Sequence, residues 1–139
     1  MPFKYDANIQ LIKGCPPNAA KEAHGIAYRF VFNPLDGKSF LPPALVRRVN
    51  RPRTKWECSD WALSMFESRQ AALRYFADLA RKSPLIRKTL GDHIATVRLT
   101  VRLAKAHGRQ TAADKDGHFD LHEYVGVDLS SVTRLGEKL

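Results

Sequence analysis

The chain has 139 residues, 44% of them hydrophobic and 27% charged, with 23 Lys and Arg against 14 Asp and Glu, a formal charge of +9. That length suits a single core-forming domain over residues 1–139, and the proportions exclude collagen-like, low-complexity and extensively disordered classes. The positive excess favours anionic partners and is uneven: residues 1–109 carry 20 basic and 8 acidic side chains, net +12, whereas residues 110–139 carry 3 and 6, net −3.

From the N-terminus, residues 7–13 alternate weakly and predict a short strand, followed by a breaker cluster at Gly14-Cys15-Pro16-Pro17-Asn18. A single helical turn is expected over 18–24. Gly25–Phe32 (GIAYRFVF) predicts a strand buried on both faces, interrupted by Arg29 and ended by Asn33-Pro34 and Asp36-Gly37. Residues 38–55, with three prolines, read as loop with at most a short helix at Ala44–Val49. Trp61–Phe66 predicts a strand, and Ser68 caps a helix over Arg69–Lys82, where Ala72, Tyr75, Phe76, Leu79 and Ala80 share one face. Pro84–Leu90 predicts a second short helix stopped by Gly91. His93–Leu103 alternates as a strand, with Val97, Leu99, Val101 and Leu103 opposite Arg98, Thr100 and Arg102. His107–Gly117 reads as polar loop and His118–Val127 as strand, while the end of the chain favours no one state. The sum is α+β: a mixed or antiparallel sheet with one principal helix.

No apolar run approaches the roughly 20 residues of a membrane-spanning helix, and MPFKYDANIQLIKG has no secretory-signal pattern. The expected location is the cytoplasm, without membrane association. Cys15 and Cys58 are too few for a disulfide framework or four metal ligands, and both are expected as reduced thiols.

Arg47, Arg48, Arg51, Arg53 and Lys55 place five cations in nine residues, in a proline-containing arm able to follow phosphates. Trp56 and Trp61 stand beside it for stacking on bases. With Arg98 and Arg102, and the wider Arg98–Arg109 stretch, this arm is the candidate surface for nucleic acid or another anion; the alternative is a solvated loop.

DKDGHFDLHE (Asp114–Glu123) resembles part of a calcium loop, but its first ligand position falls on Ala112, which cannot ligate. On a strand, His118, Asp120 and His122 would share one face, a three-ligand pattern without an evident fourth; no metal is favoured. Ser64 lacks the glycines of a nucleophile elbow. His24, His93, His118 and His122 are available as a base, but no spacing selects one.

Three residues occur in a suggestive order: Arg29 within the first long strand, Ser64 in LSMF just before the principal helix, and Glu123 in a late strand. This order resembles the Arg…Ser…Glu arrangement of the ADP-ribosyltransferase-like fold and of related toxin-type bacterial domains that use NAD. The chain also resembles small bacterial proteins with a YR…FLPP…LSxF…GH layout, a likeness that implies no activity. The first resemblance implies NAD as cofactor. It implies that Arg29 contacts the pyrophosphate, Ser64 orients the nicotinamide ribose and Glu123 polarises the glycosidic bond. Tyr28, Trp61 or Phe66 would then hold the nicotinamide. Departures are that Met65 and Phe66 follow Ser64, and that His122 and Tyr124 flank Glu123 and compete for its role. The alternative reading is a non-enzymatic module for nucleic acid or an acidic protein partner, of antitoxin or regulatory type.

Overall fold

The structure is a computed structural model, described here over residues 2–46, 56–100 and 106–139. Seven strands form one antiparallel sheet: β1 (Lys21–Glu22), β2 (Gly25–Val31), β3 (Leu63–Phe66), β4 (His93–Leu99), β5 (Gly108–Gln110), β6 (His118–Glu123) and β7 (Thr133–Lys138). Their order is β1-β5-β6-β3-β2-β4-β7. The helices are α1 (Asp6–Ile9), α2 (Pro43–Val46), α3 (Arg69–Lys82) and α4 (Ile86–Thr89). The α+β class holds, with a wholly antiparallel sheet. No helix among the described residues is long and apolar enough to cross a membrane.

The principal helix has the expected bounds. Ser68 is extended, its hydroxyl accepts the Ala71 amide at 3.1 Å, and Arg81 and Lys82 occupy the last turn. The helix lays Ala71, Ala72 and Phe76 over Phe30, Phe66 and Ile94, with Ile86 of α4 completing this cluster. The opposite sheet face buries Ala27, Leu63, Met65, Val97, Leu99, Phe119 and Leu121 beneath Phe40 and Leu129. Phe40 and Leu129 come from short 3-10 turns, Gly37–Phe40 and Leu129–Val132. A side-chain period of two therefore sets the chemistry of each face. Arg29 and Glu123 belong with the odd-numbered residues under the turns, and Ser64 and His118 belong to the helix-covered face.

Several local expectations are corrected. Residues 6–9 form a helical turn that buries Ile9, not a strand. Lys21–Glu22 pairs with Arg109 and Gln110 as an edge strand instead of a helical turn, so part of the expected 107–117 loop is β5. Gly108 is needed there: a Cβ would lie 2.2 Å from the His122 carbonyl oxygen. The C-terminal residues form β7 against β4. Cys15 and Cys58 are disulfide-bonded, not free thiols. The N-terminal segment runs past the end of β6 (Phe3 bridges Tyr124) and carries Cys15 to the 3-10 turn Cys58–Trp61.

Candidate functional site

Strands β2 and β3 meet at one ladder pair, Tyr28 opposite Phe66, and then part. The segment around Ser39 enters the gap, and the Ser39 hydroxyl accepts the Phe32 amide at 3.0 Å. Arg29 closes what remains. Its Nε donates to the Ser39 carbonyl at 2.8 Å and one Nη to the Ser64 carbonyl at 2.7 Å. The forked guanidinium replaces main-chain donors that the parted strands cannot supply. Burial lowers Arg29 to about 10, against an opposing pull from Glu123, and it stays cationic at neutral pH. Arg29 and Ser64 line a small slot of about 80 Å³ with Phe32, Lys38, Leu41 and Leu90 among its other walls.

Glu123 lies elsewhere. It is 4% exposed, and its Oε2 accepts from Lys4 Nζ at 2.7 Å. Burial raises its pKa, while the hydrogen bond and charge of Lys4 and the charge of Arg29 pull it back. Arg29 thus links the three expected catalytic residues: it touches the Ser64 main chain and feels the Glu123 charge. They share no open cleft, since Glu123 is sealed under the N-terminal segment. The calcium-loop reading fails for the same reason. Its final ligand would be Glu123, which is committed to Lys4, while Asp114 accepts the Asp116 and His118 amides within its own turn.

The aromatic cofactor candidates do not line the slot. Phe66 is 1% exposed in the helix-covered core, and Tyr28 is half-buried against the same cluster. Trp61 is buried between Tyr5 and Trp56. Packing takes the faces that a nicotinamide ring would need. Arg98 is exposed on β4 in a shallow hollow with Ile26, Thr96 and Arg134. Arg47, Arg48, Arg51, Arg53, Lys55 and Arg102 lie outside the described residues.

The strand register brings Ser64 to a histidine that spacing alone does not select. With Phe66 opposite His118, the His118 Nε2 reaches the Ser64 hydroxyl at 3.0 Å, and Tyr75 stacks on the ring. Asp114 is 3.8 Å from Nδ1 and Asp120 is 3.8 Å from Nε2. Neither is a hydrogen bond, so no carboxylate orients the imidazole as nucleophile activation requires. His118, Asp120 and His122 share a strand face but do not gather as ligands. Among the described residues, the one such gathering is Cys15, Cys58 and His122.

The slot adjoins a groove of about 1090 Å³ at the end of β2, between the Gly37–Phe40 turn and α4. Phe32, Leu41 and Val46 give it apolar walls, and Lys38, Arg87 and Lys88 supply cations. Its two carboxylates are engaged. Asp36 accepts the Lys38 amide at 2.9 Å, and Asp92 meets His93 Nδ1 at 2.9 Å, a contact that holds Asp92 below the usual carboxylate range. Arg87 is fixed by a bond to the Leu139 carbonyl at 3.1 Å and by the Phe76 ring 5.2 Å away. Among the described residues, neither Lys38 nor Lys88 is drawn into an ion pair. Nothing in the sequence singles out these three cations, because they come from a turn and a short helix that meet only once β2 and β4 are paired.

No protein-family model matches the chain, and neither the curated proteins nor the solved structures give a match.

Proposed function

We propose that the protein binds a phosphate-bearing ligand of nucleotide size in the groove at the end of β2. The observation that carries this reading is the pairing of an apolar wall (Phe32, Leu41, Val46) with three cations whose neighbouring acids are already engaged. The apolar wall suits a base or ring, and Lys38, Arg87 and Lys88 suit phosphate oxygens. A volume of about 1090 Å³ takes a dinucleotide, so NAD is the first ligand to test. Binding is better supported than turnover, because Glu123 is paired with Lys4 and does not line the groove. A cytoplasmic location, where such ligands are abundant, belongs to the same reading.

A second reading has one specific support. Val46 lines the groove, and the five cations of Arg47–Lys55 follow it in sequence. A single-stranded nucleic acid would engage both.

Thermal shift and titration with NAD, ADP and single-stranded oligonucleotides, each at low and physiological salt, test the pair of readings. The first predicts saturable stabilisation by NAD or ADP with no gain from oligonucleotide length. The second predicts affinity that grows with length and falls steeply with salt. No binding by any of these probes overturns both.

A further inference from the structure

Cys15, Cys58 and His122 converge where the N-terminal segment crosses the end of β6. Their ligand atoms, two Sγ and one imidazole nitrogen, lie within 4.8 Å of one another. His122 is 2% exposed and its Nε2 stands 3.6 Å from Cys58 Sγ. Its Nδ1 is buried without a hydrogen-bond partner among the described residues, so there neither ring nitrogen is committed to a hydrogen bond to oxygen or nitrogen. Phe3 packs edge-on to the ring at 6.5 Å and limits its movement.

These separations bear on metal chemistry. A tetrahedral zinc ion with Zn–S near 2.3 Å and Zn–N near 2.0–2.1 Å sets its sulfur and nitrogen ligands about 3.5 Å apart. The imidazole already stands at that distance from Cys58, on the side facing both sulfurs. Only the sulfur–sulfur bond has to open. The two cysteines are half-buried, leaving the cluster within reach of a small reductant and an ion.

We propose that Cys15, Cys58 and His122 form a thiol-gated site for a borderline-soft divalent cation, with zinc as its natural occupant and the disulfide as its closed, metal-free form. A dithiol reductant opens it. The reductant's two thiols give two electrons and two protons to the Cys15–Cys58 bond, yielding two protein thiols and the oxidised, disulfide form of the reductant. Zinc then displaces both thiol protons and takes two thiolates and the His122 imidazole. The fourth position is left to water or an added ligand, because no fourth His, Cys, Asp or Glu donor joins the cluster among the described residues. The site is separate from the groove and does not depend on the nucleotide reading.

The test compares the untagged full chain in its two redox states, so that its main arm needs no variant. Zinc binding is measured by competition with a chromophoric chelator, and cobalt(II) is used as a spectroscopic probe. The expected result is one equivalent of zinc on the reduced protein and none on the oxidised protein, with a thiolate-to-cobalt charge-transfer band only after reduction. His122→Ala in the reduced state is expected to weaken zinc at least tenfold with the cobalt band altered. Equal zinc uptake in both redox states, no uptake in either, or unchanged affinity in His122→Ala overturns the proposal.

Discussion

The Arg29 guanidinium donates to the Ser64 main-chain carbonyl at 2.7 Å and so closes the sheet where β2 and β3 part. Its role there is structural, and it is a donor fork that a single ammonium cannot copy. Arg29→Met is predicted to leave the Ser39 and Ser64 carbonyls without donors and to destabilise the fold by about 2–4 kcal/mol. Arg29→Lys should recover only part of this. Urea unfolding with amide exchange on β2 and β3 measures both; equal stability of Arg29→Met and the wild type would refute the assignment.

Lys4 is the counter-ion of a carboxylate that is otherwise sealed, and Glu123 Oε1 has no hydrogen-bond partner among the described residues. Lys4→Met is predicted to cost about 3–5 kcal/mol at neutral pH, because the charge left behind is buried. The sign with pH follows from the raised pKa of Glu123. The folded state holds this proton more tightly than the unfolded chain. Stability from this group therefore falls as pH rises through the window between its ordinary and raised values. Losing Lys4 removes a downward pull and widens that window. The deficit of Lys4→Met should thus shrink as pH falls from neutral toward the ordinary carboxylate range, and Lys4→Met/Glu123→Gln should recover most of it. A deficit that ignores pH and the second substitution would contradict the pairing.

His107 works in the opposite sense. It is buried, its Nδ1 accepts the Thr100 amide at 3.1 Å, and burial holds its pKa below 6.5. The folded state binds fewer protons than the unfolded chain, so its contribution is complete above 6.5 and is lost as pH falls toward the lowered value. Denaturant unfolding across that range should show a steeper acid loss for the wild type than for His107→Gln. Parallel profiles would rule this out.

Gly108 tests the β5–β6 pairing. A Cβ there would lie 2.2 Å from the His122 carbonyl oxygen, so Gly108→Ala is predicted to separate these strands and destabilise by more than about 2 kcal/mol. An unchanged thermal midpoint would show that the close approach is dispensable.

Much of this fold is legible in the sequence, and the reasons are local. Ser68 and the 3.6-residue spacing of Ala72, Phe76 and Leu79 define α3 without tertiary help. The alternation of Val97 and Leu99 with Arg98 defines most of β4, and the β-branched and aromatic run of Gly25–Val31 defines β2. What escapes depends on pairing. Gly108–Gln110 is a strand because β6 supplies its partner, and its own residues are polar. Cys15 and Cys58 are 43 residues apart and meet only because the N-terminal segment crosses β6. Ser64 meets His118 through the register of β3 with β6, which the choice among available histidines does not reveal. The order Arg29, Ser64, Glu123 is visible in sequence, but alternation puts the Ser64 hydroxyl on the opposite sheet face from the other two side chains. The groove cations escaped because Lys38, Arg87 and Lys88 carry no motif.

Isothermal titration of NAD and ADP into wild type and Lys38→Ala/Lys88→Ala tests whether the groove holds a nucleotide. The double variant removes two surface cations without touching the core. Saturable binding to the wild type is expected, weakened at least about tenfold in the variant, each lost phosphate contact being worth upwards of about 1 kcal/mol. Binding of equal strength in both proteins, or no binding to the wild type, would contradict it.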